Sequence, residues 1–204
     1  MKTRKEDILK ATLELAAANG LGTVSMQQIA DKVGITKASL YNHYSSRDEI
    51  VEAMYEYLRQ VSKEKANIGK PDYDKLSAGM ALRDILTFSV NSYRSIVKDP
   101  QMLLFYRIIM SERSINKAAA EIMVRETRTM IDATRTLFYA LQVKGIADFK
   151  DADAAAFSFA MSVHAILDYE FDLSFAGEQA SKGMMDAYIE EFSRIYGKKV
   201  SELK

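Results

Sequence analysis

Apolar side chains recur every three or four residues along most of the chain, which is the period of an amphipathic α-helix. The first apolar stripe runs over residues 6–19 and stops before Gly20, and longer stripes follow from residue 47 onward. No segment alternates between apolar and polar positions in the manner of a strand. Only two prolines and nine glycines occur in 204 residues. The pattern therefore predicts an all-α chain.

Two short helices joined by a turn are predicted within residues 25–44. Ser25 followed by Gln28 has the spacing of an N-terminal capping box, and Gly34 can take the left-handed backbone that ends a helix. Thr36 then offers a hydroxyl to cap a second helix, which we expect to run to about Tyr44. A longer helix is predicted to begin at once, from residue 47 to about residue 68.

The second short helix has one aliphatic anchor, Leu40, and a rotation of about 100° per residue places Tyr44 beside it on the inner face. Ala38 and Asn42 lie at the centre of the opposite face, which is small and polar. Such a face fits the DNA major groove, where asparagine pairs with adenine and alanine contacts the thymine methyl group. The alternative interpretation is a short helix whose polar face only meets water.

The same stretch resembles the DNA-binding segment of the tetracycline-repressor-like (TetR) family of bacterial transcription regulators. The matching residues are Ile29-Ala30, Val33-Gly34-Ile35, Thr36-Lys37, Leu40-Tyr41-Asn42-His43-Tyr44 and Ser46-Arg47-Asp48-Glu49-Ile50. Val33, Tyr44 and Arg47 stand where the family usually has alanine, phenylalanine and lysine. The candidate DNA-contacting residues are Ser25, Gln28, Thr36, Lys37, Ala38, Ser39, Tyr41, Asn42, His43 and Arg47.

The chain is expected to divide into three parts. Residues 1–46 are predicted to form the helix-turn-helix DNA-binding domain, and residues 47–68 a connecting helix. Gly69 and Pro71 stop that helix and mark a boundary. Residues 69–204 are predicted to form a larger helical domain, to which the family resemblance assigns ligand binding and dimerisation.

Nearly every residue between Ala152 and Leu167 is apolar, so no polar face is left to meet water. We predict that one side of this helix packs within its own domain and the other against a second copy of the chain. The alternative is a fully buried central helix in a monomer. The predicted homodimer contacts, on this helix and on a final helix over about residues 181–196, are Phe157, Ala160, Met161, Tyr188, Phe192 and Ile195.

Methionine and aromatic side chains on the C-terminal helices are candidates for an effector cavity, because flexible methionines adapt to apolar ligands. Core packing is the alternative for each of them, and the resemblance to TetR proteins favours the cavity. His164 and Asp168 are two potential metal ligands without a third, so we expect a hydrogen-bonded histidine and no metal. The candidates are Tyr93, Phe105, Tyr106, Met110, Met123, Met130, Phe138, Phe159 and His164.

Charge and composition refine this picture. The 28 basic and 28 acidic residues cancel, so net charge gives no indication of nucleic acid. Residues 32–47, however, contain three basic side chains and no acidic one, and three more basic residues precede the first predicted helix. These are Lys32, Lys37 and Arg47, and Lys2, Arg4 and Lys5.

The chain contains no cysteine, no phosphate-binding glycine loop and no hydrolase or zinc-protease motif. We therefore predict that it is not an enzyme and needs no cofactor. Its polar N-terminus and the lack of a long apolar run predict a cytoplasmic protein without membrane contact. The expected function is a repressor released from double-stranded operator DNA by a small, largely apolar effector. The alternative is a helical protein-binding adaptor or regulator without such an effector.

Overall fold

The computed structural model describes residues 4–69, 71–77, 79–179 and 183–198. It confirms the all-α fold: these residues form nine α-helices and two short 3-10 helices. One isolated antiparallel bridge joins Ala147 and Gly197. Within the same residues, no helix has both the length and the apolar character needed to cross a bilayer.

The helices differ in length from one short turn to more than seven turns. They are α1 (Arg4–Asn19), α2 (Met26–Val33), α3 (Lys37–Tyr41), α4 (Arg47–Lys65), α5 (Leu82–Val97), α6 (Pro100–Glu112), α7 (Lys117–Val143), α8 (Ala152–Ala176) and α9 (Met184–Tyr196). The 3-10 helices are Leu21–Thr23 and Tyr73–Lys75. The predicted start of the last helix, Ser181, lies outside the described residues.

The chain forms two compact units. Unit 1 comprises residues 1–69 and 94–126, and unit 2 comprises residues 70–93 and 127–204. Helices α5 and α7 therefore each contribute to both units. The functional boundaries expected at residues 46 and 68 stay predictions.

Side chains cap the starts of α2, α3, α4 and α6. Ser25, Thr36 and Ser46 each accept a hydrogen bond from the backbone N–H three residues later, at 3.3, 3.1 and 3.1 Å. Asp99 accepts from the N–H of residue 101 at 3.1 Å, and Pro100 occupies the first turn of α6. Each cap satisfies a donor that the helix itself leaves unpaired.

Helix α3 is shorter than predicted, because it ends at Tyr41 and not near Tyr44. The N–H groups of Asn42 and His43 bond to carbonyls three residues back, at 3.3 and 2.9 Å. Because these bonds span three residues and not four, residues 42 and 43 form a turn that is tighter than an α-helix. The buried face is nevertheless as predicted.

Helix α4 also ends earlier than predicted, at Lys65 and not near Ile68. Asn67 has φ of 51°, and the N–H of Ile68 bonds to the carbonyl of Lys63 at 2.9 Å. A left-handed residue with a bond of this kind is a common helix ending, and asparagine tolerates it better than most residues. Asn67 therefore ends the helix before Gly69 is reached.

Local contacts fix two boundaries in the C-terminal half. Helix α7 begins after Asn116, whose side chain accepts from the N–H of Ala119 at 3.3 Å, and Ile115 just before it is 86% exposed. Helix α8 continues beyond Leu167 to residue 176, where Gly177 with φ of 77° ends it.

The core of unit 2 contains a cluster of phenylalanine rings. Phe138 stacks on Phe149 with a centroid distance of 4.5 Å, and Phe159 meets Phe192 edge-on at 4.8 Å. All four side chains are buried. Aromatic pairs of this geometry contribute about 0.5 to 1.5 kcal/mol beyond their area burial. The cluster joins α7, α8 and α9 through the loop that carries Phe149.

A buried charge network joins α4 to the first turns of α7 within unit 1. Glu126 is 3% exposed, and its carboxylate accepts from the Tyr55 hydroxyl and from Arg59 Nη1 at 2.6 and 2.8 Å. Burial and the negative charge of Glu126 raise the pKa of Tyr55 well above its usual value. Arg125 lies over the Tyr55 ring and pairs with Glu52.

Replacing Glu126 with alanine tests this network. The change deprives the nearly buried guanidinium of Arg59 of its carboxylate, so we expect the free energy of unfolding to fall by about 3 to 5 kcal/mol. Urea unfolding followed by circular dichroism measures it. Glu121→Ala is the matched control on the same helix, because Glu121 is exposed and should cost less than about 0.5 kcal/mol. Equal small losses for both variants would contradict the role of the network.

Candidate functional site

Helices α2 and α3 with the turn between them form a helix-turn-helix. Ile29 and Leu40 are fully buried and Tyr44 is 6% exposed, which confirms the predicted inner face of α3. Gly34 ends α2 with φ of 75°, and the N–H of Ile35 bonds back to the carbonyl of Ala30 at 3.0 Å. The left-handed glycine lets the chain turn between the two helices without a Cβ clash.

The opposite face of α3 is open to solvent. Lys37, Ala38 and Asn42 are exposed, and Tyr41 is 48% exposed. Thr36 is also exposed, although its hydroxyl caps the helix, and Ser39 and His43 are half-buried. Seven of the ten predicted DNA-contacting residues therefore lie together within residues 36–43. At its centre this face is small, polar and nearly uncharged, and side chains of this kind can contact base edges in a DNA major groove.

Ser25, Gln28 and Arg47 make contacts within the protein. The side-chain carbonyl of Gln28 accepts from the N–H and the hydroxyl of Ser25, each at 2.8 Å, which completes the capping box of α2. Arg47 Nη1 donates to the carbonyls of Leu21, Gly22 and Val24 at 3.2, 3.1 and 3.4 Å. These bonds give the three residues structural roles, and their contact with DNA stays a prediction.

The basic side chains near α3 differ in what they already bind. Lys32 pairs with Glu14 at 2.8 Å, whereas Lys37 lies over the Tyr41 ring at 6.0 Å from its centroid. Lys5 lies over the Tyr44 ring at 5.7 Å, and Arg4 begins α1. Lys2 is outside the described residues. Lys37 is thus the cation that lies directly on the exposed face of α3.

Residues 8–54 match a family model described as bacterial regulatory proteins, tetR family. The match extends from α1 into α4 and includes the whole helix-turn-helix. The uncharacterized HTH-type transcriptional regulator YerO of Bacillus subtilis is 32% identical over 65 residues, which are 32% of this chain and 22% of YerO. The chain therefore aligns with less than a quarter of that relative's length.

The fold agrees along nearly the whole chain. The SmeT–triclosan complex superposes with a TM-score of 0.72 at 15% identity, over 97% of this chain and 93% of SmeT. The flavonoid-responsive regulator FrrA gives a TM-score of 0.71 at 19% identity, over 96% of this chain and 98% of FrrA. The N-terminal segment therefore matches the tetR family model, and the whole chain has the fold of these two proteins.

The predicted effector residues are divided between the two units. Phe105, Tyr106 and Met123 are buried in unit 1, where Met110 is half-buried. In unit 2, Phe138 and Phe159 belong to the phenylalanine cluster, and Tyr93 packs against the same core. Met130 and His164 are half-buried in unit 2. The ring contacts of Phe138 and Phe159 support a packing role for these two residues.

His164 is the candidate with unsatisfied hydrogen-bonding capacity. Its Nδ1 lies 3.3 Å from Asp168 Oδ2, one turn further along α8. Its Nε2 is buried and bonds to no group among the described residues. A buried ring nitrogen without a partner is unfavourable, and a ligand polar group is one way to satisfy it.

Some of the predicted dimer residues lie on the exposed sides of α8 and α9, and the others lie on the buried sides. Phe157, Met161 and Ile195 are 54%, 38% and 58% exposed, whereas Ala160 and Phe192 are buried. Tyr188 is half-buried, and its ring lies against Phe159. Sequence periodicity alone did not separate the two sides of α8, because both are apolar. The surface available to a second copy is the exposed side.

Sequence reasoning missed Glu112, whose carboxylate accepts from the N–H of Gly22 at 2.9 Å beside the helix-turn-helix. The sequence contained one weak indication of this contact. An acidic residue in the last turn of a helix is electrostatically disfavoured, so its presence there suggests a specific partner. Its partner is 90 residues away in sequence, so spacing gave no indication of the pair.

Gly34→Ala tests the turn of the helix-turn-helix. A Cβ at Gly34 meets no atom within 4 Å, so the cost arises only from the left-handed backbone and should be about 1 to 2 kcal/mol. Gly69→Ala is the matched control, because its Cβ also meets nothing and its φ is not positive. The thermal midpoint of unfolding is measured for both variants, and it should fall more for Gly34→Ala than for Gly69→Ala. Similar midpoints would show that the turn carries no strain.

Proposed function

We propose that this protein is a repressor that reads an operator with the exposed face of α3 and leaves it when a small, largely apolar effector binds. The observation that carries the proposal is the division of α3 into two faces. Leu40 is fully buried, while Ala38 and Asn42 on the opposite side are exposed. The tetR-family match over this segment supports DNA as the partner of the open face.

A gel-shift titration tests the proposal. The wild-type protein is mixed with the DNA that flanks its own gene and with a random duplex of equal length, at rising salt concentrations. A repressor should bind the flanking DNA selectively, and both affinities should fall as salt rises because phosphate contacts release counterions. Equal binding to both duplexes, or none, would favour a protein-binding adaptor.

Asn42→Ala addresses base recognition directly. An asparagine that pairs with adenine contributes about 1 to 3 kcal/mol of discrimination, so affinity for the selected DNA should fall by that amount while random DNA is bound as before. Fluorescence anisotropy with both duplexes measures the two affinities. Gln179→Ala removes an exposed amide outside α3 and should change neither. Equal losses on both duplexes would assign Asn42 to phosphate contact.

We further propose that the operator is bound by a homodimer, since two-fold DNA sites are read by two-fold proteins. The exposed side of α8 supports this, because Phe157 and Met161 lie one turn apart on it. Ile195 on α9 is a third large apolar side chain open to solvent. Burial of such residues against a second copy would remove apolar surface from water.

Phe157→Glu should weaken this dimer, because each subunit would bury an unpaired carboxylate in the interface. Sedimentation velocity should show a shift from dimer to monomer at micromolar concentration. Phe88→Glu is the matched control: Phe88 is 75% exposed on α5, so the same change there should leave the dimer intact. A Phe157→Glu protein that remains dimeric would remove the exposed side of α8 from the interface.

The effector proposal is supported by His164 and by two structural neighbours. SmeT was solved with triclosan, so at least one protein of this fold binds a small organic molecule, and FrrA is named as flavonoid-responsive. Here the ligand would be largely apolar, with one polar group that bonds to His164 Nε2. Whatever the ligand, the factor by which it weakens DNA binding must equal the factor by which DNA weakens ligand binding.

A further inference from the structure

We propose that Glu112, the last residue of α6, is a positioning residue for DNA binding, which holds the helix-turn-helix through the α1–α2 turn (residues 20–24). This inference rests on the proposed function, because it concerns the affinity and selectivity of the same DNA site. Glu112 itself need not approach DNA. It acts on the chain segment that leads directly into α2.

The contact is specific and largely withdrawn from solvent. One carboxylate oxygen of Glu112 accepts from the Gly22 N–H at 2.9 Å, and the other accepts from Asn116 Nδ2 at 3.3 Å. Glu112 as a whole is 9% exposed. Hydrogen bonds to an ionised acceptor are stronger than neutral ones, more so when partly buried. The bond therefore ties α6 firmly to the turn.

The position of Glu112 is unfavourable by local rules. The C-terminal end of a helix carries a partial negative charge, which disfavours a carboxylate in its last turn. Within the described part of the chain, no lysine or arginine forms an ion pair with Glu112, and its partners are N–H groups. A charged residue in an electrostatically unfavourable position, with no ion-pair partner, often has a functional role at the site that it contacts. The site here is the α1–α2 turn.

The turn is fixed from two sides. Glu112 holds the Gly22 N–H, while Arg47 Nη1 binds the carbonyls of Leu21, Gly22 and Val24. The carboxylate also lies against Gly20, where an added Cβ would be 3.5 Å from Oε1. An anion and a cation thus clamp opposite edges of one short peptide segment.

The clamp connects the DNA-reading helix with a part of unit 1 outside the tetR-matched segment. That segment ends at residue 54, whereas Glu112 belongs to α6. Because Ser25 caps α2 directly after the turn, a displaced turn shifts α2 and, through Gly34, α3. A movement of the end of α6 by about 1 Å would stretch the 2.9 Å bond beyond hydrogen-bonding range. Glu112 therefore makes DNA affinity depend on the position of α6.

Two variants of Glu112 test this proposal in the full-length protein. Glu112→Ala removes the acceptor, and Glu112→Gln keeps an acceptor without the charge. Glu121→Ala is the control for charge, since Glu121 is an exposed carboxylate on the neighbouring helix α7. Ile122→Val is the control for stability, because it trims a buried side chain on α7 in the same unit.

Three quantities are measured for each protein: amide exchange of Gly22 by NMR, the thermal midpoint, and affinity for two duplexes. The duplexes are one enriched by in vitro selection with the wild-type protein and one of random sequence. For Glu112→Ala we expect Gly22 exchange to rise about tenfold and affinity for the selected duplex to fall about tenfold. Random-duplex affinity should change less than about twofold, and Glu112→Gln should lie between Glu112→Ala and wild type.

The outcomes separate the possible roles. Ile122→Val should lower the thermal midpoint and leave the ratio of the two affinities unchanged. Glu121→Ala should change neither the thermal midpoint nor that ratio. If the Glu112 variants behave like Ile122→Val, Glu112 is merely structural and the proposal is wrong. Unchanged Gly22 exchange would also overturn it, because the bond would then be absent in solution. A wild-type protein that enriches no sequence would refute the proposed function itself, before any variant is compared.

Discussion

Helix α3 is too short to be stable alone, and its position depends on the burial of one aliphatic side chain. A five-residue helix has little more than one turn, and helices of that length do not persist in water without packing. Leu40, fully buried, and Tyr44 provide that packing, while Thr36 caps the start. Because the face with Leu40 is buried, Ala38 and Asn42 on the opposite face of α3 are exposed. The anchor that makes the helix possible therefore also defines the surface that we propose reads DNA.

Charged side chains make specific contacts at the edges of the apolar core around α3. Arg47 and Glu112 bind the turn before α2, and Glu126 receives bonds from Tyr55 and Arg59 on α4. Buried ion pairs add little stability compared with apolar packing, but they fix geometry because each needs its partner in one place. Such a frame suits a protein whose short reading helix must be held at a defined orientation. It also provides contacts that are broken by small displacements.

Much of this arrangement was predictable from the sequence, and the physical reasons are local. Capping residues, the glycine turn and the apolar stripe that includes Leu40 act within a few positions of the chain, so α2, α3 and their faces followed from spacing. Ends of helices were less certain, since Asn67 and not Gly69 ends α4. Contacts between distant segments were not predictable: Gly22 with Glu112, and Tyr55 with Glu126, arise only when the helices pack. The two apolar sides of α8 likewise required the structure to tell Phe157 from Ala160.

The most direct test of the central claim uses the lack of cysteine in the chain. Ala38→Cys places a single thiol at the centre of the exposed face of α3, where a photo-crosslinker can be attached without side reactions at other residues. On DNA enriched by the wild-type protein, crosslinks should fall on bases at two symmetric positions in successive major grooves, about 34 to 36 Å apart. The same label at Gln179→Cys should give none. Crosslinks scattered evenly along the duplex, or equal for both labels, would contradict the claim that α3 reads the DNA.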